Sequence, residues 1–117
     1  MRLISGIPHL PVFKNGCVLS IGNFDGVHLG HQAVIKKLAE RGKVLGLPVV
    51  IMVFEPQPLE YFLGDKAPHR LTRLREKIIQ LAKLPVDDLV IVRFNKHIAD
   101  YEAALFIEEV LISKLKV

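Results

Sequence analysis

Three short, largely apolar runs constrain the fold of this chain more than any other feature of its sequence. They cover residues 17–22, 49–54 and 89–94, and each is followed by a segment with helical periodicity. Continuous runs of Val, Ile and Leu are typical of parallel strands, because helices cover both faces of such a sheet. The alternation predicts an α/β protein with three layers and a right-handed parallel sheet of about three strands and three helices.

Local signals give the expected bounds of the helices. The first is expected over residues 29–45, since Gly46 can take the left-handed conformation that ends a helix. The second is expected over residues 72–83, with Thr72 as N-cap. The third is expected over residues 101–116, capped by Asp100, and its inward positions are Ile107, Val110, Leu111 and Leu115.

Two segments carry no strand or long-helix pattern. Residues 1–16 contain two glycines and two prolines, which predicts an irregular lead-in. Residues 59–71 are expected to be a loop with room for one helical turn at 59–63.

The bulk composition fits one small domain in the cytoplasm. A chain of 117 residues can bury a core, and no apolar run reaches the roughly 18 residues of a membrane helix. The first residues lack the apolar region of a signal peptide. The single cysteine, Cys17, heads an apolar strand, so we expect a buried, unreactive thiol.

The charge of the chain favours a small anionic ligand. The net charge is +4, which suits an anionic ligand. The sequence contains no basic run interleaved with aromatic residues, which is the pattern that indicates nucleic-acid binding. The densest basic cluster is Arg70, Arg73, Arg75 and Lys77. Because Arg73 and Lys77 are one helical turn apart, we expect them on a solvated helix face rather than in a phosphate-binding patch.

A strand, a glycine loop and a helix follow one another over residues 17–45. This layout directs backbone N–H groups and the positive end of a helix toward a phosphate. Gly26 can adopt the positive φ of a tight turn, and Gly30 leaves space for a phosphate at the helix end. His28 and His31 are three residues apart, so they share one face of the first turn. Together these features predict chemistry on a nucleotide triphosphate.

Other interpretations of the same loop remain open. His28 and His31 could share a zinc ion, although no third ligand is evident nearby. Asn23 and Asp25 lie at the carboxyl end of the first strand, where ligands bind in such sheets. Asp25 could cap the helix, hold Mg²⁺, bond the water shell of a phosphate, or only form an Asx-turn.

These residues resemble the opening signature of the bacterial bifunctional riboflavin kinase/FMN adenylyltransferase family, also called prokaryotic FAD synthetase. The stretch 21–32 reads Ile-Gly-Asn-Phe-Asp-Gly-Val-His-Leu-Gly-His-Gln and contains the HxGH motif of the nucleotidylyltransferase superfamily. Residues 54–58, 70–72 and 76–78 also match family patterns. This chain departs from the family at Val53, where the pattern has threonine, and at Gln57, where it has histidine.

The resemblance implies a Rossmann-like nucleotidylyltransferase fold and transfer of AMP from ATP to FMN, giving FAD and pyrophosphate. Mg²⁺ would accompany the ATP. The implied catalytic residues are His28 and His31. The implied ATP-binding residues are Gly22, Asn23, Phe24, Asp25 and Gly30. The implied FMN-binding residues are Pro56, Pro58 and Phe62.

The resemblance also implies that the fold is incomplete. Residues 1–117 would be the N-terminal part of the adenylyltransferase domain, without its remainder and without the riboflavin kinase domain. We therefore expect weak or no activity from this chain alone, and self-association through residues 17–22 as an exposed sheet edge. The alternatives are a noncatalytic nucleotide-binding fragment and an HxGH nucleotidylyltransferase with another acceptor.

Overall fold

A parallel sheet of four strands forms the centre of the molecule. The computed structural model describes residues 1–67 and 73–117. The strands are β1 (Arg2–Ser5), β2 (Val18–Ile21), β3 (Val49–Glu55) and β4 (Asp88–Arg93), in the spatial order β1-β4-β3-β2. All three pairings are parallel; in one rung Ile51 lies between Ser20 and Leu89. The predicted α/β class and the three predicted strands are confirmed.

The first strand corrects the expected irregular lead-in. β1 (Arg2–Ser5) pairs with β4, and Leu3 opposes Leu89. The strand lies at a sheet edge, and Leu3 remains 52% exposed. Arg2 Nε donates to Asp88 Oδ1 at 2.6 Å. A four-residue edge strand that buries one side chain lacks the continuous apolar run of a central strand, so its pairing is not visible in local sequence.

Helices flank the sheet. They are α1 (Leu29–Leu45), α2 (Pro58–Leu63), α3 (Leu74–Leu81), α4 (Lys96–Ala99) and α5 (Ala103–Phe106), which continues as a π-helix (Ile107–Lys114). α1 ends as predicted at Gly46, which adopts a φ of 69°. The helical turn expected at 59–63 is present as α2, which begins one residue earlier, and a short 3₁₀ turn (Gly64–Lys66) follows it. Thr72, the predicted N-cap of the second helix, lies outside the described residues.

The last helix differs from its prediction. Asp100 does not cap it; this residue follows α4, and Glu102 precedes α5. Val110 and Leu115 are buried as expected, whereas Ile107 is 49% exposed. The residues from Ile107 onward wind as a π-helix, whose i→i+5 hydrogen bonds rotate side chains away from the face that a period of 3.6 predicts.

Apolar side chains cover both faces of the sheet, so the domain has three layers. One core joins Val50, Met52, Val90 and Val92 to the C-terminal helix and Cys17. The other joins Ile51, Val53 and Leu89 to α1 and α3. The expectation of a buried, unreactive Cys17 agrees with the structure: its thiol donates to the Leu115 carbonyl, and burial raises its pKa to about 11.

The topology decides which residues can meet. Because all four strands run in one direction, their carboxyl ends share one edge of the sheet, where the loops after β2, β3 and β4 gather. β2 is itself an edge strand among the described residues, as predicted. None of the helices in the described parts of the chain is long and apolar enough to cross a membrane.

Candidate active site

The loop after β2 is anchored by two buried side chains. Phe24 and Val27 adopt positive φ angles of 51° and 40°, which L-residues rarely do, and Gly26 adopts 75°. The side chains of Phe24 and Val27 are only 4% and 5% exposed and pack in the core of α1 and α3. Their apolar burial offsets a backbone cost of about 1–3 kcal/mol at each residue. The burial of these two side chains therefore stabilises the loop conformation that leads directly to α1.

His28 is the N-cap of α1. Its Nδ1 accepts hydrogen bonds from the backbone N–H groups of Gly30, at 3.0 Å, and His31, at 3.3 Å. The suggestion that Asp25 caps this helix is therefore wrong, because Asp25 lies in the preceding 3₁₀ turn (Asp25–Val27). An imidazole that accepts at Nδ1 carries its hydrogen on Nε2. The exposed His28 can thus donate to a ligand from that atom.

The His28 imidazole that forms this cap leaves no room for a side chain at position 30. A Cβ at position 30 would lie 2.9 Å from Cε1 of His28 and 3.1 Å from its Nδ1. The space that the glycine was expected to leave for a phosphate is thus taken by the His28 ring. Any ligand at this helix end would meet that ring and not the glycine itself.

His31 stacks on His28, so the structure brings the two predicted catalytic histidines together. Their ring centroids are 3.7 Å apart with an interplanar angle of 17°, and Phe24 lies 5.0 Å from His31 on another side. Burial lowers the pKa of His31, and nearby His28 and Lys77 lower it further against an opposing effect of Asp25. The buried Nδ1 of His31 has no hydrogen-bond partner among the described residues. This environment favours the neutral ring in the free protein.

The predicted ATP-binding residues cluster around this histidine pair. Gly22 continues from β2, and a Cβ there would lie 3.1 Å from Cε2 of Phe24. Asn23 is exposed and Asp25 is half-buried in the same loop. Within residues 1–67 and 73–117, no group of three or more His, Cys, Asp or Glu side chains could hold a metal ion. A zinc ion shared by His28 and His31 would thus lack a third ligand from these residues.

Lys77 contradicts the expectation of a solvated basic face. Its side chain is completely buried, and its Nζ lies 3.5 Å from Oε1 of Glu55. Arg73 and Arg75 are exposed as expected, whereas Arg70 lies outside the described residues. The sequence did contain a signal: position 77 falls between Leu74 and Leu81 on the apolar stripe of α3, four residues before Leu81.

The predicted flavin-binding residues lie after β3. A cis peptide joins Glu55 to Pro56, and Pro58 begins α2. Gln57 and Glu60 form a capping box on this helix, in which the Gln57 N–H donates to Glu60 Oε1 at 2.8 Å. Phe62 is 64% exposed and therefore available to a ligand.

Four aromatic rings form a cluster that was not predicted from the sequence. It consists of Phe54, Tyr61, Phe62 and Phe94, and we call it the aromatic cluster. Phe94 makes edge-to-face contacts with Phe54, Tyr61 and Phe62 at centroid distances of 5.5, 5.4 and 5.8 Å. Phe54 lies near the end of β3 and Phe94 directly follows β4. Because neighbouring parallel strands end at one sheet edge, these two positions could have been recognised.

The site thus combines two surfaces along the carboxyl ends of the strands. The histidine pair and the first turn of α1 follow β2, and the aromatic cluster follows β3 and β4. Hydrogen-bond donors at a helix N-terminus suit phosphate oxygens. Exposed aromatic rings suit a flat, conjugated ligand.

Comparison with known proteins agrees with this geometry. Residues 10–117 match the family described as FAD synthetase. The whole chain aligns with the "bifunctional riboflavin kinase/FMN adenylyltransferase" of Escherichia coli (strain K12) at 52% identity, and with the proteins of the same description from Haemophilus influenzae at 46% and Pseudomonas fluorescens at 40%. The chain spans 38%, 38% and 37% of these relatives.

One solved structure is similar in fold. It is described as "Crystal Structure of Macrolide-efflux Protein from Streptococcus pneumoniae" and aligns with a TM-score of 0.77 and 21% sequence identity. The alignment covers 97% of this chain and 44% of that chain, and at this identity it bears on the fold alone. The family match, in contrast, extends over residues 10–117 and includes both surfaces of the site. The chain belongs to the FAD synthetase family.

Proposed function

We propose that this chain forms part of an FMN adenylyltransferase, which transfers AMP from ATP to FMN and releases pyrophosphate. The observation that carries the proposal is the stacked pair of His28 and His31 on the first turn of α1, on the same sheet edge as the aromatic cluster. The relatives from Escherichia coli and Haemophilus influenzae, both described as FMN adenylyltransferases, support this acceptor. Residues 1–117 are then the N-terminal part of the adenylyltransferase domain.

The reaction requires positioning more than covalent chemistry by the protein. A phosphate oxygen of FMN attacks the α-phosphorus of ATP, the bond to the β-phosphate oxygen breaks, and pyrophosphate leaves with its electron pair. His28 donates from Nε2 to a phosphate oxygen, while its Nδ1 holds the helix end in place. His31 donates beside it. Donors that are fixed before the reaction stabilise the developing charge without reorganising.

The remaining loop residues shape the ATP side. Phe24 supports His31 from the core, and Gly22 leaves room for the Phe24 ring. Gly30 leaves room for the His28 ring. Asn23 and Asp25 offer polar atoms at the carboxyl end of β2.

Mg²⁺ enters with ATP in this proposal. The described residues offer no all-protein cage for a metal, and Mg²⁺ commonly keeps several waters and binds through substrate phosphates with one or two carboxylates. Asp25 is the carboxylate in the loop beside the histidines, so it is the residue that would hold the ion or its water shell. The ion would offset negative charge on the phosphates.

The FMN side consists of the segment after β3. Pro56 and Pro58 provide rigid apolar surface, and the exposed face of Phe62 receives the isoalloxazine ring. Phe94 packs edge-to-face against Phe62 at a centroid distance of 5.8 Å. We also infer that the protein is located in the cytoplasm. A separate inference concerns assembly: the edge strand β2 pairs with a second copy when this chain is isolated.

An exchange experiment tests the proposed reaction. This chain replaces the matching N-terminal segment of the Escherichia coli relative, and FAD formation from FMN, ATP and Mg²⁺ is measured by chromatography. We expect FAD from the chimera and a loss of at least about a hundredfold in kcat for its His31→Ala variant. Phosphorylation of riboflavin serves as the internal control. A chimera that phosphorylates riboflavin but makes no FAD would contradict the proposal.

A further inference from the structure

Lys77 is a buried cation that the proposed reaction does not use. Its side chain is 0% exposed and lies on α3, and its Nζ is 3.5 Å from the Glu55 carboxylate. Lysine is almost never fully buried unless it is paired, because removing its ammonium from water costs several kcal/mol. The retention of this charge in the core therefore requires an explanation beyond the packing of α3.

The ion pair lies between the two surfaces of the site. Glu55 ends β3 immediately before Pro56, and α2 begins at Pro58 on the flavin side. On the phosphate side, α3 packs against the Asp25–Val27 turn that leads into His28. Leu81 of α3 shares a core with Phe24 and Val27. The Lys77–Glu55 ion pair thus joins α3, which packs against the turn before His28, to the end of β3 on the flavin side.

The charge of Lys77 also acts on His31. Within residues 1–67 and 73–117, three charged or titratable groups are close enough to shift the pKa of this ring: His28 beside α1, Asp25 in the turn before it, and Lys77 on α3. Lys77 and His28 favour the neutral ring, and Asp25 opposes them. A buried charge is screened less by salt and water than an exposed one, so its field extends to the helix end.

We propose that Lys77 is a positioning residue of the nucleotide site. Glu55 holds it as a fixed positive charge on α3, which packs against the turn before His28 and His31, and this charge strengthens polyphosphate binding without contacting the ligand. The proposal rests on the proposed function in one respect: it takes the phosphates to bind at His28 and His31. Unlike an exposed lysine, this ammonium has one position and loses no side-chain entropy when an anion binds.

Binding of inorganic triphosphate to the chain tests this inference without requiring catalysis. The variants are Lys77→Met, which removes the charge at similar volume, and Lys77→Arg, which retains it. The control is Lys83→Met, since Lys83 is exposed just beyond α3. Isothermal titration gives the dissociation constant, and NMR titration of the imidazole gives the pKa of His31.

We expect Lys77→Met to weaken triphosphate binding roughly fivefold and to raise the pKa of His31, because a nearby positive charge is lost. Lys77→Arg should restore both quantities, and Lys83→Met should change neither. If Lys77→Met folds and leaves both quantities unchanged, the inference is wrong, whereas the proposed adenylyl transfer is not affected. Absence of triphosphate binding by the unmodified chain also overturns the inference.

A double variant covers the case in which Lys77→Met does not fold. Lys77→Met with Glu55→Gln removes both charges of the ion pair, so the Glu55 carboxylate does not lose the ammonium beside it. If Lys77 acts through its charge, the double variant still binds triphosphate more weakly and its His31 pKa is still raised. If Lys77→Met acts only by disturbing the fold around the Glu55 carboxylate, the double variant returns both quantities to their original values, and the inference is wrong. Failure of FAD formation in the chimera, with these binding results intact, would contradict the proposed reaction alone.

Discussion

Replacement of His28 by alanine should destabilise the chain and remove a phosphate donor at the same time. In the structure, Nδ1 of His28 accepts from the N–H groups of Gly30 and His31 at 3.0 and 3.3 Å. Both amides are near the surface, so after the substitution water can replace the imidazole. We therefore expect the ordinary cost of a lost N-cap, about 1 kcal/mol, and no added cost of a buried unpaired group.

The magnitude of this loss is measurable. For a domain of this length, about 1 kcal/mol corresponds to a fall of roughly 4 °C in Tm and about a fivefold change in the unfolding equilibrium. Urea unfolding followed by far-ultraviolet circular dichroism gives the free energy of unfolding, and the slope with urea should not change. Isothermal titration with inorganic triphosphate measures the ligand side.

His28→Asn separates the two roles. An asparagine side chain caps helices about as well as any residue, through an oxygen that accepts from the same N–H groups. It lacks the imidazole Nε2 that reaches outward. We expect His28→Asn to recover most of the stability lost in His28→Ala while triphosphate binding remains as weak as in the alanine variant.

Two results would refute this reasoning. Equal stability of His28→Ala and the unmodified chain would show that the imidazole does not cap α1 in solution. Full triphosphate binding by His28→Asn would show that the cap, and not the imidazole Nε2, is what the ligand requires.

Three further predictions concern single residues. When the pH falls from about 7.5 to about 5.5, the free energy of unfolding should decrease more for the unmodified chain than for His31→Gln, because the pKa of His31 is lower in the folded chain and the unfolded chain therefore binds the proton first. Urea unfolding at both pH values measures this difference. Gly42→Ala should lower the free energy of unfolding by about 2–4 kcal/mol, since the new Cβ would lie 2.8 Å from the Leu47 carbonyl oxygen. Gly46→Ala should lower it by only about 1 kcal/mol, because Gly46 has a φ of 69° but open space around it, and thermal unfolding compares the two variants. Cys17 should react with a thiol reagent only after unfolding, because it is 2% exposed and its pKa is raised to about 11; a reaction rate in native buffer equal to that in denaturant would contradict this.

Local sequence determined the central strands and the first helix. The runs at 49–54 and 89–94 became β3 and β4 within one residue at each end, and Gly46 ended α1. These features depend on the composition and periodicity of neighbouring residues, which a sequence displays directly. The pairing of His28 with His31 was also predictable, because three residues along a helix is a fixed geometric step.

Tertiary structure alone decided the features that depend on distant residues. β1 became a strand only because β4 offered a parallel edge, and the aromatic cluster formed only because Phe54 and Phe94 end adjacent strands. His28 displaced Asp25 as the cap because the left-handed turn at Phe24 and Val27 aims the imidazole at the helix end.

Lys77 shows the difference most clearly. Its charge and its spacing from Arg73 favoured a solvated face, while its place on the stripe of α3 favoured burial. A carboxylate 22 residues earlier in the chain decided between them, because Glu55 at the end of β3 could hold the ammonium inside the core. Sequence periodicity indicates which face of a helix is buried. Only the fold supplies the partner that stabilises a buried charge.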